Sequence, residues 1–169
     1  LVLKLRRRRI ILGILAGLAI AALAICTRLQ LRYWKDNIAL YEHTLAVTEE
    51  NFVILYNYGD ALTKKSRLDE AIVQFKKTLR LSPNEPDVYN NIGAALEEMG
   101  NTKEAIENWR KALALDPRHQ KAHINMGMTM SQEGSYEEAI YHFQEALRAK
   151  PDSPDAVSYT HLTLPTKRI

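Results

Sequence analysis

The sequence predicts an all-α chain in which an N-terminal transmembrane helix leads into a stack of paired helices. Three observations predict it. From Ile10 to Cys26 the chain reads IILGILAGLAIAALAIC, seventeen residues without a charge. Beyond that run the sequence resembles itself at an offset of 34 residues. Each unit of the repeat closes on a proline, Pro83, Pro117 or Pro151, which cannot donate the backbone N–H that a continuing helix needs.

At 1.5 Å per residue the apolar run reaches roughly 25 Å, the short end of what crosses a bilayer core, with Arg9 and Arg28 placed to snorkel at its edges. Residues 1–9 are read as a basic cytoplasmic flank and 10–27 as the membrane helix. Five basic residues precede the run (Lys4 and Arg6 to Arg9) and three follow it (Arg28, Arg32, Lys35), a bias that keeps the N-terminal flank in the cytoplasm and exports the rest. The same stretch also fits a cleavable secretory signal ending near Ala22-Leu23-Ala24, and less well a lipoprotein acylation box at Cys26. All three readings place the remainder outside the cytoplasm, and the membrane-helix reading implies a bacterial inner-membrane location. Gly13, Gly17 and Ala21 recur every four residues, a face on which another membrane helix could approach closely.

Charge is divided along the chain. The net charge is +3, yet residues 1–35 carry +8 with no acid, while residues 36–156 carry −7. A basic flank beside an apolar run followed by an acidic remainder argues for a membrane surface and against nucleic acid. A single cysteine excludes an intrachain disulfide framework and any multi-cysteine metal cluster. The chain opens on Leu1 and is read as a fragment.

The 34-residue offset aligns Asn57, Asn91 and Asn125, then Gly59, Gly93 and Gly127. It continues through Glu70, Glu104 and Glu138; Ala71, Ala105 and Ala139; Phe75, Trp109 and Phe143; and Leu79, Leu113 and Leu147. In the first helix of each pair a glycine, with Leu62, Leu96 or Met130 three places on, lets two helices cross closely. In the second helix Ala-x-x-x-Phe/Trp sets a small and a large residue one turn apart on one face. Neither helix pair can bury its apolar face alone, so stability has to come from stacking.

These residues and this spacing resemble the tetratricopeptide repeat, in which Gly-x-x-Leu, Ala-x-x-x-Phe and a closing Pro hold the same places. The resemblance implies helix-turn-helix repeats wound into a right-handed superhelix. Full repeats are expected at 52–85, 86–119 and 120–153, preceded by a junction and half repeat over 28–51 in which Trp34, Ile38, Tyr41, Leu45 and Val47 take core positions. A fourth repeat starts at 154–156 and then stops. Residues 157–169 read VSYTHLTLPTKRI, without helical period, and Val157 to Thr166 match one translated frame of a transposase sequencing adaptor. This tail is therefore set apart from the fold as an artefact of sequencing.

No Gly-rich phosphate loop, His-Glu-x-x-His or Gly-x-Ser-x-Gly elbow occurs, and no catalytic residue or cofactor is expected in this stretch. His119 and His123 stand four apart, a spacing compatible with metal, but no acid lies between them and they read as a solvated pair at the start of a repeat. What remains is the concave face lined by the first helices. A ladder of Asn57, Asn91 and Asn125 along it would offer donors and acceptors to an extended peptide backbone, an arrangement similar to the asparagine ladder of O-linked N-acetylglucosamine transferases. The alternative is that these amides bond neighbouring helices. Tyr56, Asp60, Lys64, Asn90 and Lys121, with Glu97, Glu98, Met128 and Gln132, flank the ladder and are mixed in charge. They do not compose the basic carboxylate clamp of chaperone-binding relatives. The expected partner is a protein or peptide, with the membrane as anchor and neither metal nor nucleic acid.

The junction Arg32-Tyr33-Trp34-Lys35-Asp36-Asn37 and Leu40-Tyr41-Glu42-His43-Thr44-Leu45 resembles the link between the last membrane helix and the repeats of bacterial polytopic proteins related to protein mannosyltransferases. That resemblance implies a membrane glycosyltransferase as the parent chain. A singly anchored envelope scaffold with no enzymatic domain is the rival.

Overall fold

The computed structural model describes residues 2–34 and 37–151, with side chains at 12–28 and 37–151. Residues 157–169, expected to be a sequencing-adaptor tail, and the expected start of a fourth repeat lie outside the described residues, as do the side chains of residues 1–9 and of Trp34. Every regular element is a helix: α1 Val2–Trp34, α2 Asn37–Val47, α3 Phe52–Thr63, α4 Leu68–Leu81, α5 Pro86–Glu98, α6 Thr102–Leu115, α7 Gln120–Gln132 and α8 Tyr136–Ala149. They divide into two units, one ending at Thr48 and the other starting at Glu49.

In the first unit α1 runs unbroken through the expected basic flank and apolar stretch. Leu12, Ile14, Leu15, Leu18, Ile20, Leu23 and Ile25 are each at least 56% exposed on it. Among the described residues, however, no helix is long and apolar enough to cross a membrane. Over the stretch expected to span the membrane, 10–27, the chain is helical, and its uncharged run measures roughly 25 Å against a hydrocarbon core of about 30 Å. Of the half-repeat core positions, Ile38 is buried, Tyr41 and Leu45 are half-buried, and Val47 is 65% exposed.

The second unit consists of three helix pairs, α3 with α4, α5 with α6 and α7 with α8, and adjoining pairs meet through α4–α5 and α6–α7. The glycines explain the close crossing within a pair. A Cβ on Gly59 would lie 2.6 Å from the Phe75 ring, and one on Gly127 would lie 2.7 Å from the Phe143 ring, so each aromatic fills the space that its glycine leaves. Phe75, Trp109 and Phe143 are each 1% exposed, and full burial of such a side chain contributes about 1.5–3 kcal/mol. Ala71, Ala105 and Ala139 are fully buried, as the Ala-x-x-x-aromatic spacing requires. Met130, Ala139 and Phe143 form one cluster onto which Ile106 of the preceding pair packs, which joins neighbouring repeats.

The turn inside each pair also repeats every 34 residues. Ser66, Gly100 and Gly134 take positive φ (54°, 82° and 81°), and the next N–H, of Arg67, Asn101 or Ser135, returns to the carbonyl of Leu62, Leu96 or Met130. This six-to-one bond closes a Schellman turn, which satisfies carbonyls that the helix end would otherwise strand. The following helix opens with carboxylates in its first turn, Asp69 and Glu70 on α4, Glu104 on α6, Glu137 and Glu138 on α8. There they complement the positive end of the helix dipole, which accounts for the recurring glutamate. Arg67 donates to both oxygens of Glu70 at 2.6 and 2.7 Å, which holds that exposed carboxyl below its usual range.

Candidate functional site, the face of the first helices

Three helices line one face of the stack. α3 touches α5 and α5 touches α7, whereas among the described residues α4, α6 and α8 do not touch one another. Closer packing of the first helices bends the stack toward them and makes their shared face the inner one.

Hydrogen bonds run along this face from pair to pair. Asn125 Nδ2 donates to Asn90 Oδ1 at 2.9 Å, Asn90 Nδ2 donates to Asn91 Oδ1 at 3.2 Å, and Asn91 Nδ2 donates to Tyr56 Oη at 3.2 Å. The rule is simple: Asn91 and Asn125 each donate to the side chain standing 35 residues earlier, one position before the previous ladder asparagine. Asn90 is the hub. It is 3% exposed, and its carbonyl also accepts the Trp109 Nε1–H bond at 3.2 Å. Expected among the groove contacts, Asn90 instead braces the ladder from beneath, because burial and bonds to Asn125, Asn91 and Trp109 leave it little outward surface.

Tyr56 is held by the ring of Phe52, stacked at 5.9 Å, and by that of Phe75 at 6.1 Å. Burial, with Asp87 and Asp60 nearby, pushes its hydroxyl pKa up, so the hydroxyl keeps its proton. Asn57 is half-buried, and its side chain makes no hydrogen bond among the described residues. Asn91 and Asn125 are half-buried, each with one amide N–H spent on the relay and one left. At Asn91 and Asn125, then, the amides join neighbouring repeats, the alternative reading of the ladder, and one N–H of each is left over. Asp60 and Lys64 pair with each other at 2.6 Å across one exposed turn of α3, and Lys121 is exposed on α7.

Between α5 and α7 the face deepens into a pocket of about 360 Å³ lined by Ala94, Glu97, Glu98, Trp109, Asn125, Met128, Thr129 and Gln132. Five of these were legible as face residues; Ala94, Trp109 and Thr129 were not. Glu97 Oε1 accepts from Thr129 Oγ1 at 3.5 Å, while Glu97 Oε2 is buried without a partner.

With this geometry in view, family models match the chain twice: a "TPR repeat" model over residues 59–100 and a "Tetratricopeptide repeat" model over residues 84–152. Residues 59–152 are tetratricopeptide repeats. No curated protein sequence matches the chain. Solved structures share its fold at 22% identity. The first TPR of Spaghetti (RPAP3) bound to the HSP90 peptide SRMEEVD covers 69% of this chain and 93% of its own, with a TM-score of 0.62. MamA covers 75% and 74% with a TM-score of 0.65, and the Arabidopsis OM64 TPR domain covers 66% and 93% with a TM-score of 0.62.

The last TPR holds a feature that its sequence did not announce. His119 and His123 are 8% and 4% exposed, not solvated as expected. His119 caps α7: its Nδ1 accepts from the Ala122 N–H at 3.2 Å, which leaves Nε2 to donate to Asp87 Oδ1 of α5 at 3.2 Å. His123 Nε2 lies 3.2 Å from the Pro117 carbonyl and must donate there, so its Nδ1 accepts from His142 Nδ1, 2.9 Å away on α8. Burial first, then His123 and Arg110, lower the His142 pKa to about 4, against a smaller opposing effect of Glu145. The His142 ring is therefore neutral at pH 7. Among the described residues no three His, Cys, Asp or Glu side chains gather to hold a metal ion.

Proposed function

We propose that this chain is a TPR interaction module whose α3–α5–α7 face binds an extended peptide segment of a partner protein. The observation that carries the reading is the relay Tyr56–Asn91–Asn90–Asn125, which fixes amides along the open face with hydrogen-bonding capacity to spare. Asn57, one N–H each of Asn91 and Asn125, and the Tyr56 hydroxyl proton would meet a peptide backbone irrespective of its side chains. Backbone hydrogen exchange of the full chain with and without a bound peptide tests this. Protection should fall on α3, α5 and α7; protection confined to α4, α6 and α8 would refute it.

In this reading α1 tethers the module to a bacterial inner membrane, with the repeats outside the cytoplasm. Support comes from its row of exposed leucines and isoleucines, with five basic residues before the run against three after it. Snorkelling arginines and local thinning would accommodate the short apolar stretch. Protease added outside spheroplasts should digest the repeats, and their full protection would exclude this topology. The junction sequence favours a glycosyltransferase-like parent over a singly anchored scaffold. Several further apolar spans upstream of Leu1 in the gene would bear that out, and a start codon just before it would favour the scaffold.

A further inference from the structure

The pocket between α5 and α7 has a chemistry of its own. It contains the carboxylates of Glu97 and Glu98, and no cation lines it. The contrast with α3 is direct: there Asp60 is neutralised by Lys64 at 2.6 Å, whereas neither pocket glutamate has an ion-pair partner among the described residues. Glu97 is also short of a donor, since Oε2 is buried and unpartnered and Oε1 has only the long bond from Thr129. An acceptor left unmet beside an open cavity is a costly arrangement that a bound donor relieves. The Met128 side chain and Ala94 provide apolar wall beside the charged end, which suits a long aliphatic stem carrying a cationic head.

From this we infer that the pocket is a specificity site for a lysine or arginine side chain of the bound peptide. The cationic head sits on Glu97 and Glu98, with Asn125 and Gln132 bordering the entrance. The assignment rests on peptide binding by the α3–α5–α7 face. It also sets this TPR face apart in sign from one that takes an acidic peptide such as SRMEEVD.

The test is selection of a randomised dodecamer library on the full chain, followed by anisotropy titration of selected peptides at two salt concentrations. Selected peptides should share a lysine or arginine at one position. Glu97→Gln with Glu98→Gln should weaken them about tenfold or more while leaving the thermal melt unchanged, and norleucine in place of the basic residue should do the same. Selected peptides with no basic position, or with acidic ones, would overturn the pocket assignment and leave peptide binding intact. A library from which nothing is selected would overturn both. Glu97→Gln preserves the shape of the side chain and its contact with Thr129, so a loss of binding reports charge and not collapse.

Discussion

Gly93 and Trp109 occupy the same space: a Cβ placed on Gly93 would stand 2.4 Å from Trp109 Nε1. That indole is 1% exposed and tied to the Asn90 carbonyl, so it has no room to withdraw. Gly93→Ala should therefore destabilise the repeats by about 1–3 kcal/mol, in the range of other overpacked cores, and by more if the Trp109 hydrogen bond breaks. Thermal denaturation followed by circular dichroism measures it. A Trp109→Leu change in the Gly93→Ala background should recover part of the loss, because the smaller side chain makes space for the methyl group.

Ser66 holds the left-handed place that glycine fills at residues 100 and 134. Its φ of 54° crowds Cβ, which a non-glycine residue bears at a cost of about 1–2 kcal/mol, only partly offset by its lower chain entropy when unfolded. Ser66→Gly is expected to stabilise the second unit by about 0.5–1 kcal/mol, seen as a rise of a few degrees in the melting midpoint. An unchanged or lower midpoint would show that the turn is not strained.

Acid should loosen the last TPR. The folded His142 pKa lies near 4, below the ordinary value of 6.5, so its neutral form stabilises the fold. That contribution is complete above about pH 6.5 and is lost as pH falls toward 4. Hydrogen exchange in α7 and α8 should rise over this window before that in α3 and α4. His142→Gln should flatten the dependence, since glutamine cannot take up the proton.

Removing the hub of the relay should cost more than removing its end. Asn90→Ala strands the half-buried Asn125 and Asn91 amides and opens a cavity at a buried position, for about 1–3 kcal/mol. Tyr56→Phe deletes an acceptor at the edge of the face, for about 0.5–1.5 kcal/mol. A double-mutant cycle between Asn90 and Asn125 should show coupling of about 0.5–1.5 kcal/mol, and additivity would mean that the bond contributes nothing.

The repeats were legible because glycine, alanine, a large aromatic and proline each answer a steric demand that recurs with every pair. The relay was legible only by halves. A period of 34 finds Asn91 and Asn125, but their acceptors stand 35 residues back, where Tyr56 and Asn90 are chemically unlike, so no alignment of identical residues marks them. The His123–His142 pair was hidden for a related reason: it joins two helices of one repeat and has no counterpart in the other two. The apolar run of the first unit was plain in the sequence, and its seventeen residues stand at the short end of a bilayer span, because what the bilayer measures is length.

The one-sided packing of the helix pairs gives the stack a mechanical character. The inner helices are stitched in series by amides while the outer helices touch inner helices but, among the described residues, not one another, so bending that opens the outer side breaks no outer-to-outer contact. The repeats form a leaf spring with its inextensible layer on the inner face, compliant to changes of curvature and stiff to stretching along the line of asparagines.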